Sequence, residues 1–217
     1  MLFRSLMADY REGLVERNPK WLQDDYAKFI RMAQHLVEQA GSGIVAFVTN
    51  HSYMFNPTFR AMRRSLMSTF QKLYLLDLGG NSKIQPKSAG SECDENVFNV
   101  KVGIGIALMV KTSDAPECEI NYAEIRGTRR AKLDALAEMT MASAPWQESG
   151  ARYPHFIFRA GSAELQDEYY SFPSVPDYFD VKSVGFVTSR DAFAVDVDRD
   201  ALLSRISDLR NESISFD

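Results

Sequence analysis

The sequence predicts an α/β fold, and three observations carry that expectation. Two short β-prone apolar runs, GIVAFV at 43–48 and KLYLLDL at 72–78, each follow a stretch of helical periodicity. The order helix, strand, helix, strand is the α/β pattern. The first run ends in a polar cluster, Thr49, Asn50, His51 and Ser52. In open α/β sheets, ligands collect at the carboxyl ends of strands, where this cluster would sit.

The first helix is read from WLQDDYAKFIRMAQHLVEQAGSG. Leu22, Tyr26, Phe29, Ile30, Ala33 and Val37 recur at helical spacing, Asp24 and Asp25 occupy the first turn, and Gly41 ends the pattern. Ile44 to Val48 is a continuous apolar run, as expected of a strand covered on both faces in a parallel sheet. In NPTFRAMRRSLMSTF, Asn56 serves as N-cap and Pro57 as the first helical residue. Phe59, Met62, Leu66 and Phe70 share one face there, with the arginines expected away from it. KLYLLDL reads as a second buried strand.

From Gly79 to Glu95 the sequence is polar, longer than a compact connection usually is. NVFNVKVGIGIALMVK then reads as a long strand. Val102, Ile104, Ile106, Leu108 and Val110 share one face; Gly103, Gly105 and Ala107 leave the other low enough for a neighbouring element or a ligand to approach. This strand and KLYLLDL should pair antiparallel, because no crossover helix separates them. RGTRRAKLDALAEM reads as a short basic-to-amphipathic helix, followed by a linker around Trp146 marked by Pro145, Gly150 and Pro154. Farther on, VGFVTSRDAFAVDV suggests a strand pair turning near Arg190 and Asp191, and a last helix runs from Asp198 or Asp200 to Leu209.

With 217 residues and 45% hydrophobic content, the chain can bury one sizeable core and a small second unit. No apolar run approaches the ~20 residues that span a bilayer, and no secretory signal pattern opens the chain, so a cytoplasmic location without membrane partners is expected. Cys93 and Cys118 form no CxxC pair and, with three histidines, suggest no metal site; reduced thiols are expected. A net charge of -4 argues against DNA binding driven by total charge, although a local basic patch remains possible. There is no phosphate-binding glycine loop, nucleophile elbow or HExxH. The pairs Asp24–Asp25 and Asp94–Glu95 fit a helix dipole and a solvated loop better than acid–base chemistry.

Three features remain, each with a bland reading beside a functional one. The Thr49–Ser52 cluster is a polar turn or a ligand site. Arg60, Arg63 and Arg64, with Arg126, Arg129, Arg130 and Lys132 later, form a solvated surface or a phosphate track. Phe98 is a core residue or a base-stacking platform.

Taken together, ERNPKWLQDDYAKFIRMAQ, GIVAFVTNHSYMFNPTFRAMRRSLMSTFQKLYLLDLGGNSK and DENVFNVKVGIGIALMVK resemble a known family. It is the adenine-specific DNA methyltransferase region of single-polypeptide type I-like (type ISP) restriction–modification enzymes. The resemblance runs from about Glu16 to Lys111 and thins beyond, where GFVTSRDAFAVD resembles the approach to a target-recognition portion. It implies a parent chain that joins nuclease, helicase-like ATPase, methyltransferase and target-recognition parts. That parent would flip an adenine out of double-stranded DNA and methylate its exocyclic amine from S-adenosylmethionine.

The family's Asn-Pro-Pro-Tyr catalytic loop and glycine-rich donor loop are absent from this sequence; RNPKW at 17–21 lacks the second proline and the tyrosine. The resemblance therefore implies a piece beginning just after the catalytic loop, with no catalytic residue, no bound cofactor and no activity of its own. A second departure is Gly79, where the family has histidine. Carried over position by position, Thr49 and Asn50 border the target-base pocket and Phe98 packs against the extruded base. Arg60, Arg63, Arg64 and Lys101 become DNA-backbone contacts. The implied fold is the C-terminal half of a Rossmann-like methyltransferase sheet followed by a small α+β extension. The expected division is residues 1–125 for that half, 126–152 for a connecting helix and linker, and 153–217 for the start of a coupler or recognition segment. The rival expectation is a DNA-binding or protein-interaction module without chemistry.

Overall fold

A computed structural model describes residues 5–14, 19–81, 94–112, 117–161, 163–179, 181 and 188–211. The chain divides into two compact units, residues 1–169 and 170–217. In the first, α1 spans Asp25–Ala40 with Asp24 as N-cap, and ends where Gly41 takes a left-handed conformation (φ 82°) and returns its N–H to Val37. Strand β1 is Gly43–Asn50. Asn56 caps the next segment by accepting from the Thr58 N–H, but Pro57–Phe59 forms a 3₁₀ turn before α2, Arg60–Thr69. β2 is Lys72–Gly79, β3 is Ile104–Lys111 and β4 is Glu119–Glu124. α3 is Arg129–Glu138, capped by Thr128, and β5 is the two-residue Gln147–Glu148.

The sheet order is β1-β3-β2-β4-β5. β3 is antiparallel to both β1 and β2, β2 and β4 are parallel, and β4 and β5 are antiparallel. The antiparallel pairing of β2 with β3 is as the sequence suggests. β3 is shorter than expected, because residues 94–103 form a loop and pairing starts at Ile104. Residues 126–152 supply the helix α3 and the short β5 at the end of the sheet.

Strand alternation sends Val45, Leu73, Leu75, Ala107, Met109, Ile120 and Tyr122 to one face, where they pack with Ile30 of α1 and Met62 and Leu66 of α2. The other face is covered unevenly. Leu76, Leu78, Ile104 and Ala123 pack with Leu136, Met139 and Trp146, and an open apolar groove of about 230 Å³ runs between Leu108 and Met141. Beyond that groove, Ile44 and Val48 of β1 are 66% and 53% exposed.

β1 therefore corrects the expectation of a strand buried on both faces. It is antiparallel to β3, one face is bare, and among the described residues no strand pairs with its other edge. The His51 N–H continues the ladder to the Gly103 carbonyl at 3.1 Å. By alternation, the backbone groups of Ile44, Ala46, Val48 and Asn50 point to the open edge.

Helix α4, Ala163–Ser171, runs across the division between the units. In the second unit, the one-turn α5, Val175–Tyr178, has a capping box between Ser174 and Asp177. α6, Asp191–Ala194, is a helical turn where a strand was expected; the preceding part of that hairpin, 184–187, lies outside the described residues. α7, Arg199–Leu209, starts at the expected cap, with the Asp198 carboxylate accepting from Asp200 and Ala201. Arg205 ties α7 to the Ala192 carbonyl and the Asp196 carboxylate. Among the described residues no helix is long and apolar enough to cross a membrane.

Candidate functional site

β1, β2 and β4 run in one direction and β3 against them, so the ends at Asn50, Gly79 and Glu124 and the start at Ile104 share one sheet edge. It is the carboxyl edge, where α/β sheets take ligands. Thr49 and Asn50 lie there, opposite Gly105 and Ile104, both half-buried. Asn50 turns the chain by accepting the Ser52 N–H at 2.8 Å, and the 3₁₀ turn His51–Met54 follows.

That turn fills the low glycine face of β3. A Cβ on Gly103 would lie 2.0 Å from His51 Nε2, and one on Gly105 would lie 2.5 Å from Met54 Cε. The neighbour that the glycines admit is thus part of the protein, the buried His51 ring, which also stands edge-on to Phe55 at 4.8 Å.

His51 leads to a hub that the sequence reading passed over. Asp77, at the end of the apolar β2 run, is buried with all its acceptor directions used. Oδ1 meets His51 Nδ1 at 2.6 Å and the Gly79 N–H at 2.9 Å; Oδ2 accepts from Tyr122 Oη at 3.0 Å and Arg126 Nη2 at 2.8 Å. Burial alone would raise the carboxyl pKa, but the hydrogen bonds and charges of His51 and Arg126 outweigh it and hold the group well below the ordinary carboxylate range. An ionised carboxylate only accepts, so Nδ1 carries a proton. The same carboxylate raises the Tyr122 phenol, adding to the larger effect of burial. Arg126 also binds the Asp77 carbonyl at 3.1 Å and Glu124 at 2.9 Å. The signal for this hub was a carboxylate inside an apolar strand, which burial makes costly unless it is fully bonded.

From Arg126 the bracing passes to the loop 94–103. Asp94 accepts from the N–H groups of Gly80 (2.7 Å) and Gly127 (3.1 Å) and pairs with Lys132 Nζ at 2.6 Å. These contacts lower its pKa against the opposing effect of burial. Lys132 is fully buried and donates to the carbonyls of Leu78 and Glu95, each at 2.6 Å. Arg129 donates to Asn96 O at 2.8 Å, Phe98 O at 3.2 Å and Asn99 Oδ1 at 2.9 Å. The Asn96 side chain binds the carbonyls of Gly80 and Val102 and accepts the Phe98 N–H at 2.9 Å. Val97 packs inward, whereas Phe98 is 51% exposed.

The basic residues sort differently from their sequence reading. Arg63 is fully buried; its guanidinium donates to the carbonyls of Tyr53 (2.7 Å), Asn56 (2.9 Å) and His155 (2.6 Å). That corrects its assignment to a DNA-backbone contact, since no part of it reaches the surface. Arg126, Arg129 and Lys132 brace the hub and the loop. Arg60 is half-buried and bonds the Pro57 carbonyl, Arg64 is exposed and pairs with Glu12 at 2.9 Å, and Lys101 is exposed. Arg130 is exposed and pairs with Asp134.

The consecutive left-handed glycines at the end of β2, Gly79 and Gly80, are closed by protein: a Cβ there would meet the Asp94 and Arg126 side chains or the Asn96 backbone. A polar pocket of about 360 Å³ lies beside the hub, lined by Tyr122, Glu124, Gln147 and Arg159 among others. Near the far end of β4, burial and the Glu119 charge push the free Cys118 thiol up to about 12, which disfavours the thiolate.

The sequence matches no protein-family model and no curated protein. Solved structures do resemble it. The Type ISP restriction–modification enzyme LlaGI, as a nuclease-deletion mutant in complex with a DNA substrate mimic, superposes with a TM-score of 0.71 at 22% identity, over 99% of this chain and 18% of that one. The fold is shared with part of that enzyme. The DrdV–DNA complex gives 0.67 at 23% identity, over 94% of this chain and 21% of that one. The ATP-dependent Type ISP enzyme LlaBIII bound to DNA gives 0.61 at 23%, over 76% and 11%. This chain therefore spans between about a tenth and a fifth of the length of these structures.

Proposed function

We propose that this chain is one wall of a DNA adenine methyltransferase within a larger restriction–modification enzyme. The parent would transfer a methyl group from S-adenosylmethionine to the exocyclic amine of a flipped adenine, with helicase-like ATPase and nuclease parts in the same polypeptide. Donor binding and amine activation would come from outside this chain, so the chain alone would be inactive. Thr49, Asn50 and Phe98 would border the extruded base, and Arg60, Arg64 and Lys101 would meet the DNA backbone. The likeness in fold to DNA-bound Type ISP enzymes supports this reading, as does the outer edge of β1, which no strand among the described residues pairs and where a longer sheet would continue.

One observation carries the proposal: Phe98 is half exposed on a loop whose neighbouring residues are hydrogen-bonded on both sides, at the carboxyl edge of the sheet. An apolar ring so tightly supported yet left in solvent suits stacking on a base. The test is a single-stranded oligonucleotide carrying 2-aminopurine, whose fluorescence falls on stacking. The wild-type chain should quench it, and Phe98→Ala should weaken binding by roughly 1–3 kcal/mol. Equal quenching by both proteins would reject the stacking role. The bare face of β1, with Ile44 and Val48 exposed, favours the second reading, a protein-interaction module without chemistry; binding of another protein without quenching would support it.

A further inference from the structure

We propose that Asp77 is the positioning residue of the site, fixing the loop that carries Phe98 from both of its ends; the stacking role given to Phe98 is the reading on which this rests. Two arms leave the carboxylate. The first runs through Arg126, whose Nη2 binds Oδ2 at 2.8 Å and whose Nη1 binds the Asp77 carbonyl at 3.1 Å. The adjoining Gly127 then gives its N–H to Asp94 at 3.1 Å and its carbonyl to the Glu95 N–H at 2.9 Å, seating the start of the loop. The second runs through His51, held at 2.6 Å, whose backbone N–H donates to the Gly103 carbonyl at 3.1 Å and whose ring lies where a side chain on Gly103 would be, seating the end of the loop.

Both ends of a ten-residue span, 94–103, thus refer to one buried side chain on the strand beneath. Loop placement for stacking is a matter of ångströms, so a shared reference for both ends matters more than the strength of either arm. The Gly79 N–H, bonded to the same carboxylate oxygen as His51 at 2.9 Å, fixes the side chain against rotation. Asp77 touches no exposed surface and would not contact a base, so it acts through the loop alone.

The experiment is residue-resolved hydrogen exchange on the whole chain, read beside 2-aminopurine quenching. In Asp77→Asn, an amide NH2 that cannot accept replaces one carboxylate oxygen and the negative charge is lost, so the bonds from His51 and Arg126 are broken or weakened, and exchange of the Phe98 amide should quicken about tenfold. Amides in the centre of α1 and β2 should be unchanged, and quenching should drop several-fold. If Asp77→Asn does not fold, Arg126→Gln keeps the Asp77 carboxylate and its His51 bond while removing the guanidinium of the first arm, and should raise exchange at Glu95 and Phe98 by a similar factor. Unchanged exchange at Phe98 in the variants that fold, or a rise spread evenly over the sheet, would overturn the proposal. A wild-type chain that fails to quench 2-aminopurine would reject the stacking role of Phe98, while the exchange pattern would still decide whether Asp77 positions the loop.

Discussion

Arg63 is the residue whose chemistry and position disagree most openly. As an arginine it belongs by type to the surface, yet it lies four residues after Phe59 and one after Met62, on the stripe that α2 turns to the core. Its guanidinium ends the 3₁₀ turn and anchors residue 155 by donating to three carbonyls. Replacing it with alanine would strand those acceptors and empty a large volume. Arg63→Ala should therefore lower unfolding free energy by about 3 kcal/mol or more, whereas Arg64→Ala, which loses only an exposed pair with Glu12, should cost less than about 1 kcal/mol. Urea titration of the two variants separates the cases; similar midpoints would mean that Arg63 does not hold this corner. The four-residue spacing from Phe59 carries the signal for this burial, but the sequence reading set the arginines away from the apolar face, as their residue type suggests.

At the scale of elements, the end of α1, the cap at Asn56 and the start of α7 could be read locally, because each depends on residues close in sequence, and the antiparallel β2–β3 pair could be read from the lack of a crossover helix between the two runs. The site could not. Asp77, Arg126 and His51 are brought together from three elements up to 75 positions apart, a meeting that no spacing rule encodes. The glycines of β3 show the same limit: the pattern revealed a low face, but only the fold shows that His51 and Met54 fill it. Those two neighbours differ in how far they can yield. A methyl on Gly103 must displace a ring held by Asp77, whereas one on Gly105 meets chiefly the flexible end of Met54. Gly103→Ala should cost about 1–3 kcal/mol and Gly105→Ala distinctly less. Thermal unfolding of both variants checks the order; a larger loss at Gly105 would show that the ring is not the rigid partner.

At the scale of the whole molecule, the sheet is finished on one side and open on the other. On the β4 side, α3 and Trp146 cover the second face and β5 closes the ladder. On the β1 side, Ile44 and Val48 are bare, Phe29 and Leu36 of α1 are exposed, and alternate backbone groups have no strand partner among the described residues. Residues 43–50 hold no lysine, proline or other charge to blunt that edge, devices on which isolated sheets rely against edge-to-edge pairing. The isolated chain should therefore associate as its concentration rises. Ile44→Lys with Val48→Lys should restore a monomer in light scattering while changing unfolding free energy by no more than about 0.5 kcal/mol each, because both side chains face away from the core. Val45→Lys, one position along on the buried face, should instead unfold the protein. If the wild-type chain stays monomeric at high concentration and the lysine pair changes nothing, β1 is a natural edge, and the case for a sheet that continues into a larger enzyme loses its structural support.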